Sequence, residues 1–285
     1  MHLNKSQLEE LCEIAKSAAL KAGEIISRQK GSKLNVESKS GGENIASCVV
    51  TEIDLEAEKL IVETLSPSLE KYDLGLLTEE STDDSSRFSH DFFWCIDPLD
   101  GTLCYSKDED GYSTSIALIS KSGTPIIGVV YNPRTRELYH AIKDYGAYKN
   151  GKELRPAKER RDLTLLYDQS YLAHPKYEEQ IIALKKDLKN LNLIELKLHP
   201  LGGAVMNGIS TIELAPAIYF KFPKKAEGGG SIWDFAASSI IQSEAGGFNS
   251  NYQRGPLDLN REDSTFMNHE GIIYCSSEEL LQLIP

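Results

Sequence analysis

Residues Trp94 to Thr102 read Trp-Cys-Ile-Asp-Pro-Leu-Asp-Gly-Thr, with Phe92 and Phe93 before them. The apolar run predicts a buried strand that breaks into a turn at Asp97 and Asp100. Pro98 fixes φ and withholds an N–H, while Gly101 lets a backbone N–H approach an anion with no Cβ in the way. Two carboxylates this close repel, and one takes up a proton unless a hard divalent cation with oxygen ligands neutralises both. An Asp-Pro turn followed by a helix cap is the alternative for the same residues.

On the N-terminal side, Ser6 and Glu9 have capping-box spacing, and Leu8, Leu11, Ala15, Ala18, Ala22 and Ile25 keep one apolar face. A first helix to about Arg28 follows. Gly31 to Ser47 is polar and is expected to be a loop, in which Lys39 either reaches a site or stays solvated. Val49 to Asp54 leads into a second helix, expected to stop near Leu69 at Ser66-Pro67. Asp54 is either that helix's cap or a site carboxylate. A short apolar strand from Leu74 to Leu77 runs into Glu79 and Glu80, which form a wet edge or turn the first carboxylate toward the strand's carboxyl end.

On the C-terminal side, Tyr112 to Ile119, Thr124 to Tyr131 and Glu137 to Ile142 alternate as an antiparallel meander, and Asn150-Gly151 marks a further hairpin. Arg155 to Asp162 is a charged linker, placing a lobe boundary between residues 1–160 and 161–285. Beyond it, strand and helix patterns alternate, which predicts a layered α/β lobe. Gly202-Gly203 opens a helix there and is either an anion-cradling turn or a plain helix start. Lys224, Lys225 and three glycines make a loop before Ser231, where a helix begins with Asp234 in its first turn and ends at Gly246-Gly247.

At 285 residues the chain can bury a sizeable core. Its net charge of −12 argues against a nucleic-acid polymer or an anionic membrane as partner. The sequence contains no run of about 18 apolar residues. Met1 to Glu10 is charged, so the cytoplasm is the expected location. Cys12, Cys48, Cys95, Cys104 and Cys275 lack Cys-x-x-Cys spacing and suggest neither a disulfide framework nor a zinc site.

Glu79-Glu80, Asp97-Pro98-Leu99-Asp100-Gly101-Thr102 and Trp233-Asp234-Phe235-Ala236-Ala237, in this order, resemble the signatures of the inositol monophosphatase superfamily of metal-dependent phosphatases. The likeness covers nearly the whole chain and includes Val50-Thr51-x-x-Asp54, Gly128-Val129-Val130-Tyr131 and Glu244-Ala245-Gly246-Gly247. It implies an α/β fold of alternating αβαβα layers with the site between two lobes. It also implies two or three Mg²⁺ ions held by Glu79, Asp97, the Leu99 carbonyl, Asp100 and Asp234, with Asp97 as the bridge. Thr102 and Asp54 would orient and deprotonate a water for direct hydrolysis of a phosphomonoester without a phosphoenzyme. The N–H groups of Gly101 and Thr102, with Gly202, Gly203 and the Asp100 carboxylate, would contact the substrate. No cysteine is required, so Cys95 and Cys104 are expected to be dispensable. Sensitivity to Li⁺ is implied by the resemblance alone, and a homodimer is compatible with it.

For the substrate, the spelling around Asp97 and Asp234 and the tail from Pro256 to Asn268 resemble bacterial 3′(2′),5′-bisphosphate nucleotidases, which act on adenosine 3′,5′-bisphosphate. Lys221 stands near where inositol-specific members place an acidic residue, and a cation there would suit a second phosphate. The chain departs from that branch at Gly202-Gly203-Ala204-Val205-Met206, where Gly-Ser-Ser-x-Lys is expected, and Leu103-Cys104-Tyr105 resembles neither the nucleotidase nor the inositol branch. Inositol 1-phosphate is the second candidate and fructose 1,6-bisphosphate the third. A catalytically weak metal and phosphate binding protein is the reading from another class.

Overall fold

The computed structural model describes residues 3–28, 36–38, 49–157 and 160–284. In chain order the elements are α1 (Lys5–Arg28), β1 (Val36–Ser38), β2 (Val49–Thr51), α2 (Glu52–Tyr72), β3 (Gly75–Thr78), β4 (Phe92–Asp100) and α3 (Thr102–Ser106). The meander β5 (Ser113–Ser120), β6 (Pro125–Asn132), β7 (Glu137–Ile142), β8 (Ala147–Lys149) and β9 (Lys152–Glu153) follows. Then come β10 (Asp162–Tyr167), α4 (Gln169–Leu172), α5 (Tyr177–Asp187), β11 (Glu195–Pro200), α6 (Ala204–Glu213), β12 (Ala217–Lys221), α7 (Ile232–Glu244), β13 (Phe248–Ser250) and β14 (Ile272–Cys275).

Strands β3 to β9 form a seven-stranded sheet in chain order, and a five-stranded sheet runs β11-β10-β12-β14-β13. Period-two alternation sorts the side chains of β4: Trp94 and Ile96 join the core under α1 and α2, while Phe93 and Cys95 join the core built by α6 and α7. The second core continues to the five-stranded sheet through Tyr219 and Tyr274, and that sheet's other face is covered by Tyr171, Ile181 and Leu184 of α4 and α5. Helix pair, sheet, helix pair, sheet and helices therefore stack as the expected αβαβα layers.

Three local expectations are corrected. Helix α1 is capped by Asn4 and Gln7, whose side chains each accept the other's backbone N–H, and not by Ser6 and Glu9. Helix α2 continues through Pro67 to Tyr72. Its last turn is held by buried Leu65 and Tyr72, and by Ser68, which donates to the Leu65 carbonyl and receives the Trp94 indole N–H. Tertiary packing outweighs the hydrogen bond that proline withholds. Within the stretch expected to be loop, Val36–Ser38 forms a strand that pairs with Val49–Thr51. Lys39 and Cys48 lie outside the described residues.

Candidate active site

The Asp97 to Asp100 segment is not a turn beyond the strand but a bulge within it. Asp97 pairs with Ser115 and Asp100 with Ser113, so three steps on β4 match two on β5. Strict alternation would send residues 97 and 100 to opposite faces, and the extra residue brings both carboxylates to the α7 side. Pro98, which has no N–H to donate, fits at such a bulge, and its carbonyl accepts the Thr114 hydroxyl at 2.9 Å. The Leu99 N–H donates to Asp97 Oδ1 at 3.0 Å, and the Thr102 hydroxyl donates to the Leu99 carbonyl at 3.0 Å. Gly101 takes φ +83° at the start of α3, a conformation that favours glycine.

Each remaining carboxylate is delivered by its own element. Strand β3 runs parallel to β4, and the Glu79 N–H donates to the Ile96 carbonyl at 3.1 Å, which sets Glu79 beside Asp97. Asp234 lies in the first turn of α7 and accepts the Ser231 N–H in a capping box. The Ser115 hydroxyl donates to the Trp233 carbonyl at 3.2 Å and ties that turn to the sheet opposite Asp97. Carboxylate oxygens of Asp97, Asp100 and Asp234 all lie within 4.8 Å of one another. Asp54 is buried on α2 within electrostatic reach of Glu79.

Gly202 and Gly203 serve a purpose the sequence did not disclose. Asp100 accepts the N–H groups of Ala204 and Val205 at 3.1 and 3.0 Å, so the N-terminus of α6 holds a protein carboxylate. A Cβ on Gly203 would lie 2.0 Å from Asp100 Oδ2, and one on Gly202 would lie 1.8 Å from Cys104 Sγ. Burial and nearby acids push the Cys104 thiol up to about 11, which keeps it protonated at neutral pH, as a spectator should be.

Lys221 is already engaged, its ammonium 3.0 Å from Asp168 Oδ2. Burial alone would lower its pKa, but Asp168, Tyr219 and Asp234 outweigh that and keep it charged. Sequence reasoning missed Asp168, which becomes a site residue only through strand pairing, and Glu58. Glu58 accepts the Glu80 N–H at 2.9 Å and the Ser81 hydroxyl, fixing the turn after Glu79. Its one available signal was the i,i+4 spacing from Asp54 on one face of α2.

Burial raises the pKa of Glu79, Asp97, Asp100 and Asp234; repulsion by neighbouring cluster carboxylates adds to it for the first three, and repulsion by Asp168 for Asp234. Against this, Lys221 pulls Asp234 and Asp100 down, and the two α6 N–H groups favour the ionised Asp100. Four carboxylates, Asp97 and Asp100 buried and Glu79 and Asp234 half-buried, with one nearby ammonium are short of positive charge. An all-oxygen donor set of this kind fits a hard divalent cation.

The inositol monophosphatase family model matches residues 7–282. The chain belongs to the inositol monophosphatase family. Members are metal-dependent phosphomonoesterases, and the chain is accordingly a metal-dependent phosphoric monoester hydrolase. An inositol-1-monophosphatase of Synechocystis is 31% identical over 254 residues, covering 89% of this chain and 83% of its own. The Escherichia coli Nus factor SuhB is 31% identical, covering 85% of each chain. In structure, the extragenic suppressor protein suhB of Bartonella henselae superposes with a TM-score of 0.71 at 26% identity, covering 95% of each chain. These family relatives stand closer to the second substrate candidate than to the bisphosphate nucleotidase branch. Among the described residues no helix is long and apolar enough to cross a membrane.

Proposed function

We propose that the protein hydrolyses inositol 1-phosphate or a closely similar polyol monophosphate, using Mg²⁺ at the carboxylate cluster. The observation that carries this choice is the Asp168–Lys221 ion pair, since the cation expected to take a second phosphate is already neutralised. The helix start at Gly202-Gly203 is likewise filled by Asp100 and supplies no extra phosphate donors from Ala204 and Val205. Names of relatives point the same way.

Glu79, Asp97, Asp100, Asp234 and the second lone pair of the Leu99 carbonyl would hold the ions. Divalent cations so held supply charge to the phosphoryl oxygens and acidify a water. Thr102, whose proton is directed to Leu99, offers oxygen lone pairs that orient a water. Asp54 would take up the proton as that water attacks phosphorus. The amides of Gly101 and Thr102, which begin α3 and so lack intrahelical acceptors, would face the phosphate oxygens.

The test compares kcat/KM for inositol 1-phosphate, adenosine 3′,5′-bisphosphate and fructose 1,6-bisphosphate in one Mg²⁺ buffer. Preference for the inositol ester is expected, and a preference for either bisphosphate would overturn the substrate assignment.

A further inference from the structure

Asp168 follows β10 and Lys221 ends β12, two paired parallel strands whose carboxyl ends open on the acidic cluster. Their side chains form an ion pair at 3.0 Å, and each is only 20% exposed. The same ammonium lies 5.6 Å from the centre of the Phe235 ring, next in sequence to Asp234. That contact sets the ammonium of the pair, with Asp168 bound to it, against the first turn of α7, which carries Asp234. The pair is thus a dipole with its positive end toward the cluster.

We propose that the Asp168–Lys221 pair sets the cation affinity of the Asp234 side of the site. Its ammonium end opposes a divalent ion there, and Asp168 holds the ammonium back. The inference rests on the cluster being a cation site, and it makes Asp168 and Lys221 positioning residues that act on affinity and not on the bond being broken. In a half-desolvated site, one unit charge several ångströms from a divalent ion is enough to matter, because water screens it only partly.

The test is the dissociation constant of Mn²⁺, measured by calorimetry on the full chain without substrate. The proteins are wild type, Lys221→Met, Asp168→Asn and the double variant, which removes the pair at constant net charge. Lys221→Met is expected to bind about tenfold more tightly, Asp168→Asn about threefold more weakly, and the double variant about threefold more tightly than wild type. The double variant is neutral and of similar volume, so the test survives if one single variant fails to fold. Unchanged Mn²⁺ affinity with only KM for the phosphate ester altered would overturn the proposal and leave the cation site standing, as would weaker binding in every variant. No Mn²⁺ binding by the wild type would overturn both.

Discussion

Helices α6 and α7 both point their N-termini at the acidic cluster, and both N-termini are met by a carboxylate, yet the two arrangements are built differently. In α7 the carboxylate is the helix's own Asp234, three residues after Ser231, in a capping box. In α6 it is Asp100, 104 residues away in sequence, reaching across from the bulge in β4 to two N–H groups. The α7 arrangement fixes one carboxylate of the cluster and one helix start with a local motif. The α6 arrangement joins sheet and helix, so that a single side chain both caps a helix and stands in the acidic cluster.

The two helix starts differ most in what the loss of Asp100 would do. Asp100→Ala is expected to lower activity by at least about a hundredfold, the scale seen when even outer partners of a metal site are removed. It also leaves two buried N–H groups without their acceptor. Asp100→Asn keeps one acceptor oxygen and is expected to be more stable than the alanine variant by about 1 kcal/mol while remaining as inactive. Equal thermal stability of the two variants would show that Asp100 does not cap α6. Gly203→Ala changes no charge but puts a methyl 2.0 Å from Asp100 Oδ2 and 2.7 Å from the Gly111 carbonyl. About ten- to a hundredfold lower kcat is expected from the displaced ligand. Wild-type kcat in this variant would mean that the close approach is not needed. Ser231→Ala is the mildest change. The Ser231 N–H that holds Asp234 survives, so about 1 kcal/mol of stability is lost in thermal unfolding with kcat within about twofold of wild type. A large loss of kcat would make Ser231 more than a cap.

The same contrast explains what was legible in the sequence. Asp234, Glu79 and the Asp97 to Thr102 segment could be picked out because their motifs are contiguous and their order matches a family pattern. Periodicity made the layered α/β character of the C-terminal lobe legible, while the αβαβα stack came from the family resemblance; the strand period is visible in β4 as alternate burial of Phe93 and Trp94 on opposite faces. What depends on contact between distant segments was not legible. The bulge at Pro98 reads as a turn until β5 is laid against it, since proline occurs at both. Pro67 reads as a stop until Trp94 is seen bonded to Ser68. Lys221 reads as a substrate cation until strand pairing sets Asp168 beside it, and Gly202-Gly203 as a phosphate cradle until Asp100 fills it.

The most direct test is phosphate release from inositol 1-phosphate by the wild-type chain, with Mg²⁺ and with a chelator, beside Asp97→Asn. Release that requires the cation and is lost in the variant is expected, while the variant keeps its fold by circular dichroism. Release that persists in chelator, or in folded Asp97→Asn at the wild-type rate, would contradict a metal centre built on these carboxylates.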